Sequence, residues 1–101
     1  MGEIRLDWTP RAKTEFLDYA LFIARDNPEA ADRWMAAVDE RLKAAAEMPY
    51  AGRKIPEWGR DDLREVIQGR YRLMYRIRSD GIQVLRVVEG HRRFLEDDDR
   101  H

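Results

Sequence analysis

Any chemistry in this chain has to be built largely from arginine. Its 101 residues include no cysteine and two histidines, His91 and His101. That removes a thiol nucleophile, a disulfide framework and a Cys-type zinc site, and it argues against a His-rich one. No metal and no cofactor is expected. The net charge of −1 is unevenly spread: residues 1–52 carry 7 basic and 10 acidic side chains, residues 53–93 carry 11 and 6, and residues 94–101 carry Arg100 against four acids. Arginine stays charged and presents a planar fork that fits phosphate or carboxylate. A basic second half in a near-neutral chain points to a local anionic partner rather than general nucleic-acid affinity. Charge alone favours a plainer account, in which arginines keep an exposed sheet face solvated.

These arginines need a scaffold, and the sequence supplies one domain. Hydrophobic residues make up 44% and charged residues 39%, too apolar for a disordered chain and too polar for a membrane protein. No apolar run approaches the roughly 20 residues of a membrane helix. No apolar signal core follows Met1, so a soluble, cytoplasmic protein is expected.

Residues 3–8 alternate apolar with charged, the period of a half-buried strand. Thr9-Pro10 is a helix start: threonine caps free N–H groups, and proline at the first helical position lacks a donor that would be orphaned anyway. Ala12, Phe16, Tyr19, Ala20 and Ile23 form one apolar stripe. Asn27-Pro28 repeats the start signal, and a second helix should run to about Glu47, with Ala31, Trp34, Met35, Val38, Leu42 and Ala45 facing inward. The short link predicts a helical hairpin.

Met48 to Asp62, with Pro49, Gly52, Pro56 and Gly59, reads as a loop. Strands are predicted at about 63–68, 71–78 and 82–89, with Asp80-Gly81 a strong hairpin turn. The expected fold is α+β, in the order β-α-α-β-β-β: a helical hairpin on one face of a mostly antiparallel four-stranded sheet. Two helices cover one face. Tyr71, Leu73, Tyr75 and Ile77 should meet them, leaving Arg70, Arg72, Met74, Arg76 and Arg78 on an open, basic face. In the last strand Ile82, Val84 and Val88 should flank Arg86 on one side, with Leu85 and Val87 on the other. An uncovered apolar strip there would mark a partner site.

The chain resembles the RelE/ParE superfamily of bacterial toxins along nearly its whole length. The matching segments are Trp8-Thr9-Pro10 with Ala12, Asn27-Pro28, Pro49-Tyr50-Ala51-Gly52-Arg53 and Leu63-Arg64-Glu65. They continue through Tyr71-Arg72-Leu73-Met74-Tyr75-Arg76-Ile77 and Ile82-Gln83-Val84-Leu85-Arg86-Val87 into Gly90-His91-Arg92-Arg93. The Pro-x-x-Gly-Arg loop before Leu-Arg-Glu looks closer to the ParE branch. The resemblance implies a toxin domain over residues 1–95, followed by an acidic tail at 96–101. It also implies the toxic half of a type II toxin–antitoxin pair, held inactive by a cognate antitoxin, with a heterotetramer among the assemblies it allows. RelE-like members are similar to ribosome-dependent ribonucleases that cut mRNA; ParE-like members poison DNA gyrase and have no established hydrolytic site.

The resemblance also implies candidate residues. Cleaving RNA through its own 2′-hydroxyl needs a base, an acid and positive charge on the phosphorane. Arg72 and Arg92 match the family's arginines, and Arg64 falls near its basic pair. A RelE-type tyrosine is missing: its region holds Asp97-Asp98-Asp99, and Val66 replaces one of the basic pair. An exposed aspartate is ionised near neutral pH and has no proton to give. His91 could substitute, since imidazole titrates near neutral pH, although a solvated turn residue beside Gly90 is the plainer account. Arg53, Arg64, Arg93 and Trp58 are candidate phosphate or partner contacts, with Trp58 expected to be exposed. Trp8 and Trp34 are expected in the core. Three readings follow: a gyrase-binding toxin, an endoribonuclease acting through ribosome and mRNA, or a non-toxic antitoxin-binding module.

Overall fold

The structure is a computed structural model and describes residues 2–90. The elements are β1 (Arg5–Trp8), α1 (Pro10–Asp26), α2 (Pro28–Glu47), a 3₁₀ turn (Pro49–Ala51), β2 (Arg53–Lys54), β3 (Leu63–Gln68), β4 (Tyr71–Arg78) and β5 (Gly81–Glu89). Both helix starts work as the sequence predicts. Thr9 Oγ1 accepts from Ala12 N–H and Asn27 Oδ1 from Ala30 N–H, each at 3.1 Å, with proline next in the chain. Asn27 also ends α1, donating its own N–H to Ile23. One residue therefore closes one helix and opens the next.

The sheet has five strands in the order β1-β5-β4-β3-β2, one more than expected. The extra strand is the two-residue β2, paired antiparallel with β3 inside the segment read as loop. β1 runs parallel to β5, and β3, β4 and β5 form an antiparallel meander. The helical hairpin packs on one face, where Ala12, Val38, Leu42, Leu73, Tyr75, Ile82, Val84 and Val87 form the main core. Trp8 and Trp34 join it, in a run of ring contacts through Phe16, Tyr19 and Tyr71.

The other face departs from expectation in part: Arg70, Arg76 and Arg78 are exposed, but Arg72 and Met74 are buried. Ile55, Leu63, Met74 and Val88 form a second buried cluster, with Trp58 and Leu85 packed against it. The 55–58 segment folds back over the strands and supplies this cover. Its prolines and glycine break helical periodicity, but they do not stop Ile55 and Trp58 from burying apolar area. The alternation in β5 is also corrected. Tyr75 pairs with Val84 and Met74 with Arg86, so Leu85 is a bulge residue. One extra residue inverts the alternation. Val87 therefore joins Ile82 and Val84 under the helices, while Val88 and Leu85 line the second cluster.

β1 covers β5 only as far as Val84. Beyond it, α1 satisfies the exposed backbone. Thr9 Oγ1 donates to the Leu85 carbonyl (3.2 Å), Glu15 accepts from Val87 N–H (2.9 Å), and Tyr19 Oη accepts from Glu89 N–H (3.2 Å). Bare strand edges invite further strands; this stretch is closed by helix side chains.

Candidate functional site

β3 and β4 bring the predicted phosphate ligand Arg72 and an acid together. In their register Glu65 faces Met74 and Ile67 faces Arg72, which makes Glu65 and Arg72 diagonal neighbours on the second face. Arg53 sits opposite Glu65 across β2 and β3. Glu57 reaches in from the covering segment. Arg72 Nε donates to Glu65 Oε1 at 2.8 Å, and its Nη1 and Nη2 grip the two oxygens of Glu57 at 2.7 Å each. Arg53 Nε donates to Glu65 Oε2 at 2.6 Å. Arg72 is 6% exposed and Glu65 1%. The Glu57 and Glu65 hydrogen bonds raise the Arg72 pKa above the ordinary guanidinium value, against the opposing effect of burial.

This arrangement corrects the expected placement of Arg72. Rather than facing solvent on a basic face, it lies beneath the protein's own chain with each of its three side-chain nitrogens on a carboxylate. The reason is electrostatic: a buried guanidinium requires a counter-charge, and Glu57 and Glu65 provide it. A pocket of about 340 Å³ lined by Arg53, Pro56, Glu57, Arg72 and Gly90 lies beside the network. Its two cations among the described residues, Arg53 and Arg72, face Glu57 and Glu65, which balance their charge.

Arg64 is corrected on the same grounds. It faces the helix side, where Nε donates to the Asp61 carbonyl, Nη1 to the Tyr50 and Gly52 carbonyls, and Nη2 to the Asp61 carboxylate. Its guanidinium also stacks over the Tyr50 ring, 5.1 Å from the centroid. It ties the 3₁₀ turn to the start of β3. Trp58 is half-buried against the second core rather than exposed. Arg53, with a side chain 60% exposed, is the named site arginine among the described residues that reaches solvent most; the Arg64 side chain is only 12% exposed. Arg86 pairs internally with Glu15 at 2.8 Å. His91, Arg92, Arg93 and the 96–101 tail lie outside the described residues.

Sequence reasoning missed Glu57 and the role of Glu65. The Glu65–Arg72 diagonal was open to inference, because the Gln68-Gly69-Arg70 turn fixes the hairpin register. Glu57 carried no such signal, since no periodicity reports where a loop carboxylate lands. Among the described residues there is no cluster of three or more His, Cys, Asp or Glu side chains that could hold a metal. No described helix is long and apolar enough to cross a membrane. The exposed large apolar residues include Leu17, Leu21 and Phe22 on α1, and Met48, Tyr50 and Ile67 near the α2 C-terminus and the β3 edge.

A family model described as "ParE toxin of type II toxin-antitoxin system, parDE" matches residues 6–94. The chain belongs to the ParE toxin family. It is the toxin component of a type II toxin–antitoxin system, and membership implies an antitoxin partner. The chain is 32% identical over 97 residues to a Sinorhizobium fredii (strain NBRC 101917 / NGR234) protein named "Putative toxin Y4kP", spanning 93% of this chain and 96% of that one. A solved structure, "Chromosomal ParDE TA system from P. aeruginosa", superposes with a TM-score of 0.69 over 87% of this chain and 97% of that one. At 20% identity that likeness speaks for the fold.

Proposed function

We propose that this toxin acts in the cytoplasm by binding DNA gyrase, and that its cognate antitoxin blocks it by covering the same protein-binding surface. The observation that carries the proposal is the Arg72 network. A ribonuclease must place positive charge on a phosphorane, and here the matching arginine is held by Glu57 and Glu65. Arg64 is committed to the chain's own carbonyls. A toxin that works by docking on a protein has no need of either cation. The gyrase target follows from the ParE branch of the family. The ribosome-dependent endoribonuclease reading and the non-toxic binding-module reading have no comparable support.

Leu17, Leu21 and Phe22 on α1 are the apolar surface an antitoxin helix would bury, and toxin and antitoxin would assemble as a heterotetramer. Purified toxin titrated into a gyrase supercoiling reaction tests the target. Loss of supercoiling at micromolar toxin, reversed by antitoxin, is the expected result. Undisturbed supercoiling by toxin that still arrests growth would overturn it.

A further inference from the structure

The sheet closes most of its edges with its own side chains. At one side β2 covers Arg64 and Glu65, and Arg41 Nε donates to the Ile67 carbonyl beyond it at 3.0 Å. At the other side α1 seals β5 past Val84. The outer edge of β1 has no such cover among the described residues. Arg5 N–H donates to Asp80 and Thr9 N–H to Val84, so the odd positions face β5. By strand alternation the N–H and C=O of Leu6 point away from the sheet.

Natural edges are guarded by charged side chains, by proline or by a bulge, and a mixed-sign pair guards against a strand unless that strand offers the complementary charges. β1 reads Arg-Leu-Asp-Trp and carries two opposite charges two residues apart on one face. Their side chains are 62% and 45% exposed, and they meet each other only at 3.3 Å, long for a charge-assisted contact. Beside the strand lies a groove of about 430 Å³ lined by Ile4, Leu6, Lys43, Ala46 and Glu47, with Ile4 itself 55% exposed.

We infer that the outer edge of β1 pairs antiparallel with the same edge of a second copy of this chain, on a two-fold axis through Leu6. In that register Leu6 exchanges both backbone hydrogen bonds with the second copy's Leu6. Arg5 lies opposite the second copy's Asp7, and Asp7 opposite its Arg5, giving two cross-strand ion pairs. On the other face Ile4 lies opposite the second copy's Trp8, next to the groove, which gives exposed Ile4 apolar cover. The strand therefore complements itself, as an isologous interface requires. Four residues and one groove make a contact well below the roughly 1,600 Å² of a standard interface, so the dimer is weak.

Sedimentation equilibrium of the full chain, from about 5 to about 500 μM, spans the range such a contact gives. A reversible monomer–dimer equilibrium is expected. Arg5→Asp and Asp7→Arg should each weaken it about tenfold, because each replaces two attractive pairs by two repulsive ones. The double swap Arg5→Asp/Asp7→Arg should restore it. Circular dichroism checks that the variants, at exposed Arg5 and half-exposed Asp7, keep the fold. A monomer at the highest concentration, single variants that dimerise like the parent, or a double swap that fails to recover would each overturn the inference. So would a strictly monomeric toxin whose antitoxin complex is weakened by Arg5→Asp, since the edge would then belong to the antitoxin.

Discussion

Arg72 is one of the residues that carry the family resemblance, and it lies inside the protein between two carboxylates. Removing it leaves Glu57 and the fully buried Glu65 facing each other without their shared cation. Breaking a buried ion pair from one side costs about 3–5 kcal/mol. Arg72→Ala should therefore lower unfolding stability by that amount in a urea titration, while Arg72→Lys should retain part of it. An unchanged midpoint for Arg72→Ala would contradict the network. Any loss of toxicity in Arg72→Ala must be read against this, because unfolding alone would produce it. Tyr75 is a second such residue. Its hydroxyl donates to the Pro49 carbonyl at 2.6 Å, and burial raises its pKa above the ordinary 10.0. The folded state then holds the phenolic proton to higher pH than the unfolded chain. The stability this contributes is full below about pH 10 and is lost as pH rises through the folded value. Tyr75→Phe should cost about 1 kcal/mol at neutral pH, from the lost hydrogen bond, and flatten the alkaline limb of a stability profile. An identical alkaline limb in both proteins would refute this. Gly52 belongs to the same knot: a Cβ there would collide with the Tyr75 hydroxyl.

Elements were legible where their signals were local. Thr9-Pro10 and Asn27-Pro28 fixed both helix starts, and Asp80-Gly81 placed the β4–β5 turn, because caps and turns depend on a few adjacent residues. The β5 bulge was not legible, since it depends on pairing with β4 and shows only as a face change at Val87. Nor was the fold-back of Ile55 and Trp58, whose partners Leu63, Met74 and Val88 are distant in sequence. α1 sealing the β5 edge is likewise a tertiary feature, and it makes a prediction. Glu15→Ala removes the acceptor for Val87 N–H and the counter-charge of Arg86 together. It should cost about 2 kcal/mol and speed amide exchange at Val87 relative to the β3–β4 hairpin. Equal protection at Val87 in both proteins would rule out the seal.

For the molecule as a whole, the helical hairpin, its one-sided layer and four of the five strands followed from periodicity and helix count. The open basic face held at Arg70, Arg76 and Arg78 but not at Arg72 and Met74, because counting helices overlooks what a long loop can cover. With Arg72 covered, the apolar outer side of α1 becomes the expected antitoxin contact. Leu21→Lys should weaken the toxin–antitoxin complex at least tenfold in a calorimetric titration without destabilising the toxin, since Leu21 is exposed. Unaltered affinity would place the antitoxin elsewhere. The claim on which the functional reading turns is that Arg72 is spent inside the protein and does no work on RNA. Primer-extension mapping of an mRNA translated by purified ribosomes, with and without the wild-type toxin, tests this most directly. No toxin-dependent cleavage at codon positions is the predicted result; clear ribosome-dependent cuts, lost in a folded Arg72→Lys protein, would contradict it.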